Sequence, residues 1–201
     1  TLIVTAGTAV YGLDVLGGLV AGQSLVVTGA GPIGLLGVAA AKALGAYPVI
    51  LTDIVDERLK VGTTLGADYV INAAKQSARD AVFKINGGRG VDFVLECSGA
   101  PRGVDEAIKL VNRGGRICLA AFSHEPQLVD VCEIVTNNIY LFGIRGEGKS
   151  AVRRAASLMA QKKLDASPIH THTFLLEELE MGLRYAREKL DGAIKVVITN
   201  R

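Results

Sequence analysis

The chain is 201 residues long, 49% hydrophobic and 21% charged, enough for one full core and a little more. Its 22 Lys and Arg against 20 Asp and Glu leave a net charge of +2, without the basic excess of a nucleic-acid binder. Cys97, Cys118 and Cys132 form neither a C-x-x-C pair nor a disulfide framework, and no basic-then-apolar leader opens the chain, so a reducing, cytoplasmic setting is expected.

Residues 1–12, with the glycine-containing "TAGTAVYGL", have no evident surface of their own to pack on, and they are expected to end a neighbouring domain or to connect to it. The chain opens on Thr1 rather than Met, which suggests a piece of a longer protein. From Val15 to Ala41 no residue is charged, but glycines and Pro32 interrupt the run around a turn. Lipid would leave that backbone unsatisfied, so no membrane span is expected.

Residues 24–28 ("SLVVT") predict a strand buried on both faces, and residues 32–44 a small-residue helix closed by Gly45. The alternation continues with strand "YPVILTD", a helix over 56–65, strand "YVI", a helix over 75–86, strand "VDFVLE", a helix over 102–111 and strand "GGRICLA". A short helix "VDVCEIV" and a last strand "IYLFGI" complete the series. Six strands with crossovers between them predict an α/β fold, a doubly wound parallel six-stranded sheet over residues 13–163. Residues 164–201 change rhythm: "LDASPIHTHTF" reads as a loop or edge, "LLEELEMGLRYAREKL" as an amphipathic helix and "GAIKVVIT" as a strand, parts of a neighbouring domain.

Two glycine turns compete for a nucleotide. "GAGPIG" follows the first strand and opens a helix, the context that a dinucleotide turn needs. Gly29 permits the tight turn, Gly31 lets a pyrophosphate approach the backbone, and Gly34 lets helix and strand lie close, with Pro32 and Ile33 between them. Free amides at the helix start would bind the anion. Asp53 closes the next strand, about 20 residues on, where a carboxylate accepts both ribose hydroxyls and repels a 2′-phosphate, favouring NAD over NADP. Arg58, one helical turn later, is placed to cover the adenine. The second turn, "GIRGEGKS", matches a phosphate loop, but it follows the sixth strand and no later strand ends in a magnesium-binding Asp. Lys149 and Ser150 are expected merely to begin the next helix, and a phosphate-loop nucleotidase stands as an alternative.

The blocks "AGQSLVVTGAGPIGLLGVAAAKALGA", "VILTDIVDERLKVGTTLGAD", "VDFVLECSGAP", "NRGGRICLAAF" and "GAIKVVIT", in this order, resemble the medium-chain, zinc-type alcohol dehydrogenases, above all their sorbitol and threonine dehydrogenase branches. The resemblance implies a Rossmann coenzyme domain flanked by segments of a GroES-like catalytic domain. It implies NAD along the carboxyl edge of the sheet, exchanging hydride with a small-molecule alcohol held on zinc, and assembly as a homodimer or homotetramer. It places nicotinamide-side contacts at Cys97, Ser98 and Gly99, at Leu119, Ala120, Ala121 and Phe122, and at Gly143, Ile144 and Arg145. It also places a basic residue for the pyrophosphate at Lys195.

The zinc ligands that the resemblance implies fall mostly upstream of Thr1. The one late ligand would fall near Val4 or Thr5, neither of which binds metal, and the four-cysteine zinc loop is absent. His170 and His172, with His124 the only other histidine, have no third ligand at a suitable spacing. Either the chain is a coenzyme domain whose longer parent carries the zinc, or that parent belongs to a zinc-free branch; zinc is implied for the parent only. A non-catalytic dinucleotide sensor shares the same turn and acid and remains a second alternative.

Overall fold

The computed structural model describes residues 2–200 apart from His124, Glu147 and Lys149. The order is α1 (Leu2–Asp14), β1 (Leu25–Thr28), α2 (Pro32–Ala43), β2 (Val49–Asp53), α3 (Asp56–Thr64), β3 (Tyr69–Asn72), α4 (Ala78–Ile85), β4 (Val91–Glu96), α5 (Gly103–Leu110), β5 (Val111–Leu119), α6 (Val131–Thr136) and β6 (Tyr140–Gly143). After these come α7 (Ala151–Ala160), β7 (His170–Leu175), α8 (Leu179–Glu188) and β8 (Lys195–Thr199).

Strands β1 to β6 form one parallel sheet in the order β3-β2-β1-β4-β5-β6. Chain direction reverses its march between β1 and β4, the switch point at which such sheets open a crevice. Strand alternation divides the core in two. Leu25, Val27, Phe93 and Leu95 belong to one apolar cluster; Val26, Ile50 and Val94 belong to the other, on the opposite face. Both faces are thus covered, which explains why the strands read as continuous apolar runs.

Three elements differ from the sequence expectation. Residues 2–14 form α1, which packs on α2 and α7 and buries Ala6, Ala9, Val10 and Leu13, so the helix runs through the boundary expected at residue 12. Its glycines allow close packing: a methyl at Gly7 would stand 2.7 Å from Val152 Cγ2, and one at Gly12 would stand 3.1 Å from Cys118 Sγ. The segment expected to lack a packing surface therefore has one, made of small residues. The fourth helix begins at Ala78 rather than at residue 75, because the Ser77 hydroxyl accepts the Asp80 amide as an N-cap. The "HTHTF" segment is strand β7, paired in parallel with β8 and covered by α8, where a methyl at Gly182 would meet Ile198 Cδ1 at 2.5 Å.

Among the described residues no helix is long and apolar enough to cross a membrane.

Candidate functional site

The carboxyl ends of the strands line up in register. Asn72 lies beside Asp53, Thr52 beside Thr28, Thr28 beside Glu96, Glu96 beside Leu119 and Leu119 beside Gly143. A cleft of about 390 Å³ opens along the β3 to β4 part of this edge. Gly29, Gly31, Asp53, Ile54, Arg58, Ala73, Cys97, Ser98, Ala100, Glu106 and Lys189 are among its walls.

The glycine turn forms one wall. Gly29 sits at φ +89°, a left-handed backbone that only glycine adopts cheaply, and a methyl there would press to 2.8 Å on Ser98 Cα. At Gly34 a methyl would lie 1.9 Å from the Gly29 carbonyl oxygen, so nothing larger than hydrogen fits. Gly31 is the reverse case. A methyl there meets nothing within 4 Å, because that side of the residue faces open space beside the cleft. Gly31 caps α2 with Pro32 at its first position, and the first internal bond runs from Leu35 N–H to Gly31 O at 2.9 Å. The amides of Ile33 and Gly34 precede that bond and are the donors that a helix start offers to an anion.

Asp53 faces the turn and braces it. Its Oδ2 accepts the Ala30 amide at 2.6 Å and its Oδ1 accepts the Val55 amide at 2.9 Å. Each oxygen keeps a lone pair for a further donor such as a ribose hydroxyl. Arg58, also in the cleft wall, donates through Nη2 to the Ala193 carbonyl at 2.9 Å, so it ties α3 to the C-terminal segment.

Glu96 closes β4 at the carboxyl edge of the sheet. Its side chain is buried, and Oε1 accepts the Ser98 amide at 2.8 Å, the Gly99 amide at 3.1 Å, the Ser98 hydroxyl, and the Thr28 hydroxyl at 3.5 Å. One carboxylate oxygen thereby shapes the Cys97 to Gly99 turn. The signal was present: an acid closes an apolar strand just before a glycine turn, as Asp53 does on β2. Burial and the Glu96 charge push the Cys97 thiol well above its ordinary range, so it is neutral at physiological pH and a poor nucleophile.

The remaining expected contacts divide. Cys97 and Ser98 share the cleft with Asp53, and Gly99 turns toward the next segment, since a methyl on it would stand 2.7 Å from Phe122 O. Ala120 is buried and Ala121 half-buried, whereas the Phe122 ring is 73% exposed at the edge. Ile144 packs on the core, and Gly143 and Arg145 are exposed at the end of β6. None of residues 119–122 or 143–145 lines the cleft around Asp53. Lys195 begins β8 opposite His170 and is likewise outside that cleft, whose wall carries Arg58 and Lys189 as its basic residues.

The second glycine turn leads into α7, with Ser150 at the cap position, and a methyl on Gly148 would meet the Tyr11 ring at 2.5 Å. Lys149, like His124, lies outside the described residues. His170 Nε2 is hydrogen-bonded to the Thr173 hydroxyl at 2.8 Å, and His172 stacks on Phe174. Among the described residues no group of three or more His, Cys, Asp or Glu is arranged to hold a metal ion.

Comparison with known proteins gives the same direction. A family model described as zinc-binding dehydrogenase matches residues 32–161. L-threonine 3-dehydrogenase of Pectobacterium atrosepticum is 33% identical over 173 residues, covering 86% of this chain and 48% of that enzyme. The crystal structure of an alcohol dehydrogenase from Thermotoga maritima superposes with a TM-score of 0.90 at 31% identity, covering 98% of this chain and 55% of that one. A short chain alcohol dehydrogenase of Escherichia coli CFT073, complexed with NADH, superposes with a TM-score of 0.86 at 25% identity over 96% of this chain and 57% of its own. The chain spans about half the length of the curated relatives it matches.

Proposed function

The chain belongs to the zinc-binding dehydrogenase family, and on that premise we propose that it is the NAD-binding part of an alcohol, polyol or threonine dehydrogenase. The observation that carries the reading is the shared cleft of Gly31 and Asp53: an open glycine at a helix start and an acid with free lone pairs, on one wall. Those two groups suit the diphosphate and the adenosine ribose of a dinucleotide. A solved structure similar to this chain was obtained with NADH, which supports the choice of ligand.

Bound NAD would supply the hydride acceptor. The chain's own residues bind and orient it. Amides 31, 33 and 34 hold negative charge, Asp53 selects unphosphorylated ribose, and the Glu96-ordered turn at 97–99 leads from that cleft toward the nicotinamide side, where the resemblance places it. Residues 119–122 and 143–145, further along the edge, would flank the nicotinamide. The family's catalytic metal finds no ligand set among the described residues, so we assign no step through zinc to this chain. We place residues 13–163 as the coenzyme domain, with 1–12 as the connecting helix and 164–201 as the segment returning to a catalytic domain. β6 is one of the two edge strands and Tyr140 on it is 49% exposed, which suits pairing with a second copy in a cytoplasmic homodimer or homotetramer.

Fluorescence titration of the purified chain with NADH tests the reading. The expected result is saturable binding of roughly micromolar strength, or weaker, displaced by ADP-ribose, with no turnover of alcohols by the chain alone. A folded chain that binds neither ligand would defeat it.

A further inference from the structure

We propose that Gln127 is a positioning residue of the coenzyme site, one amide side chain that ties the connection after β5 to the β4–α5 wall of the cleft; this rests on the NAD-binding reading above. That wall includes Cys97, Ser98, Ala100 and, on α5, Glu106.

From inside the molecule Glu96 holds the wall, through the amides of Ser98 and Gly99. The start of α5 presses on the same carboxylate, since a methyl at Gly103 would lie 2.8 Å from Glu96 Oε1. The outward side has no such local support. Arg102, at the cap position of α5, gives no side-chain bond to the helix, so the first-turn amide of Val104 has no partner within its own element.

Gln127 supplies that partner from 23 residues further on. Its Oε1 accepts the Val104 amide at 3.2 Å, as a capping side chain would, and its Nε2 donates to the Ala100 carbonyl at 3.1 Å. The same carbonyl accepts the Gly103 amide at 2.9 Å, so both of its lone pairs are engaged. The amide has one orientation here, because only its oxygen can meet an N–H and only its nitrogen can meet a carbonyl. Val129 packs on the apolar cluster that contains Val104, whereas Leu128 is 94% exposed, so Gln127 and Val129 turn inward on either side of an outward residue. The connection touches the turn once more, where a methyl at Gly99 would stand 2.7 Å from Phe122 O. Gln127 does not line the cleft itself. It acts through Ala100 and α5, and it fixes them to the segment that follows the nicotinamide-side group at 119–122.

Thermal melts of the chain, Gln127→Ala and Gln127→Glu, with NADH and AMP titrations well below the melting temperature, test the assignment. Gln127→Glu keeps an oxygen for the Val104 amide at a helix start, where negative charge is favourable, but turns a carboxylate toward the Ala100 carbonyl. It should melt within a degree or two of the unmodified chain and bind NADH about fivefold more weakly. Gln127→Ala should melt lower and bind NADH at least as weakly. AMP, which offers only the adenosine end, should weaken less than NADH in both variants. If Gln127→Glu melts lower as well, the ratio of NADH to AMP affinity decides. Unchanged NADH affinity in Gln127→Glu, or equal losses for NADH and AMP, overturns the assignment while leaving the NAD reading intact. An unmodified chain that binds neither NADH nor AMP overturns both.

Discussion

The Asp53 carboxylate accepts the amide of Ala30 at 2.6 Å, so the acid that ends β2 also holds the glycine turn at the end of β1. Recognition of ribose and geometry of the phosphate-binding turn are joined in one side chain. That coupling gives Asp53 two separable effects.

Asp53→Ala removes both. Stability should fall by about 1–2 kcal/mol for the lost brace, NADH binding should weaken by roughly tenfold or more, and discrimination against NADPH should shrink because the repelling charge is gone. Asp53→Asn, with one acceptor oxygen left, should retain more stability yet lose the discrimination. Thermal melts and paired NADH and NADPH titrations separate the two; equal affinity for both coenzymes in the unmodified chain contradicts the ribose argument.

The two open questions at the glycine turn, fold and ligand, divide between two residues. Gly31→Ala adds a methyl that meets no protein atom within 4 Å, so the melting temperature should stay within a degree or two while NADH affinity drops sharply. Gly34→Ala puts its methyl 1.9 Å from the Gly29 oxygen and should destabilise the whole domain. A Gly31→Ala variant that binds NADH normally would show that the ligand approaches from elsewhere.

Glu96 is a structural prediction. Replacing it by Ala leaves the part-buried amides of Ser98 and Gly99 without their acceptor, and the loss of such bonds costs about 1 kcal/mol each. Denaturant melts should show Glu96→Ala less stable than Glu96→Gln, whose amide oxygen still accepts. The same ranking should hold for NADH affinity, because the 97–99 turn borders the cleft.

The thiols give a pH dependence. Burial raises Cys118 to about 12 from an ordinary value near 9, and burial with the Glu96 charge raises Cys97 as well. Both are neutral, folded or unfolded, well below pH 9, so they are indifferent to pH there. Above it the unfolded chain ionises its thiols and the folded chain does not, so stability should fall as pH climbs from 9 toward 12. Melting temperatures between pH 7 and 10.5 check the sign, and Cys118→Ala should flatten the decline. Alkylation at pH 8 should label exposed Cys132 first.

Much of the fold was legible because buried parallel strands such as "VVT" and "VILTD" carry uninterrupted apolar runs, and glycines such as Gly45 and Gly66 mark helix ends. α1 was not, because Ala, Gly and Thr give no amphipathic stripe; only the proximity of Gly7 to Val152 and of Gly12 to Cys118 shows that smallness is its packing surface. β7 was hidden by alternating polar residues that face outward in a two-stranded sheet. At the site, Gly29, Gly31, Gly34 and Asp53 were readable from their spacing, since one turn and one strand end place them. Arg58 was read as an adenine cover, and the structure also gives it the Ala193 carbonyl. Lys189 had no local signal, because its position depends on a left-handed corner and on a contact between segments distant in the chain.

A crystal structure of the chain with NADH tests the central claim most directly. The account predicts the diphosphate on the amides of residues 31, 33 and 34 and the adenosine ribose hydroxyls within hydrogen-bonding distance of Asp53. A dinucleotide seated instead on the glycine-rich segment at 143–150, with the Gly31 turn bare, would contradict it.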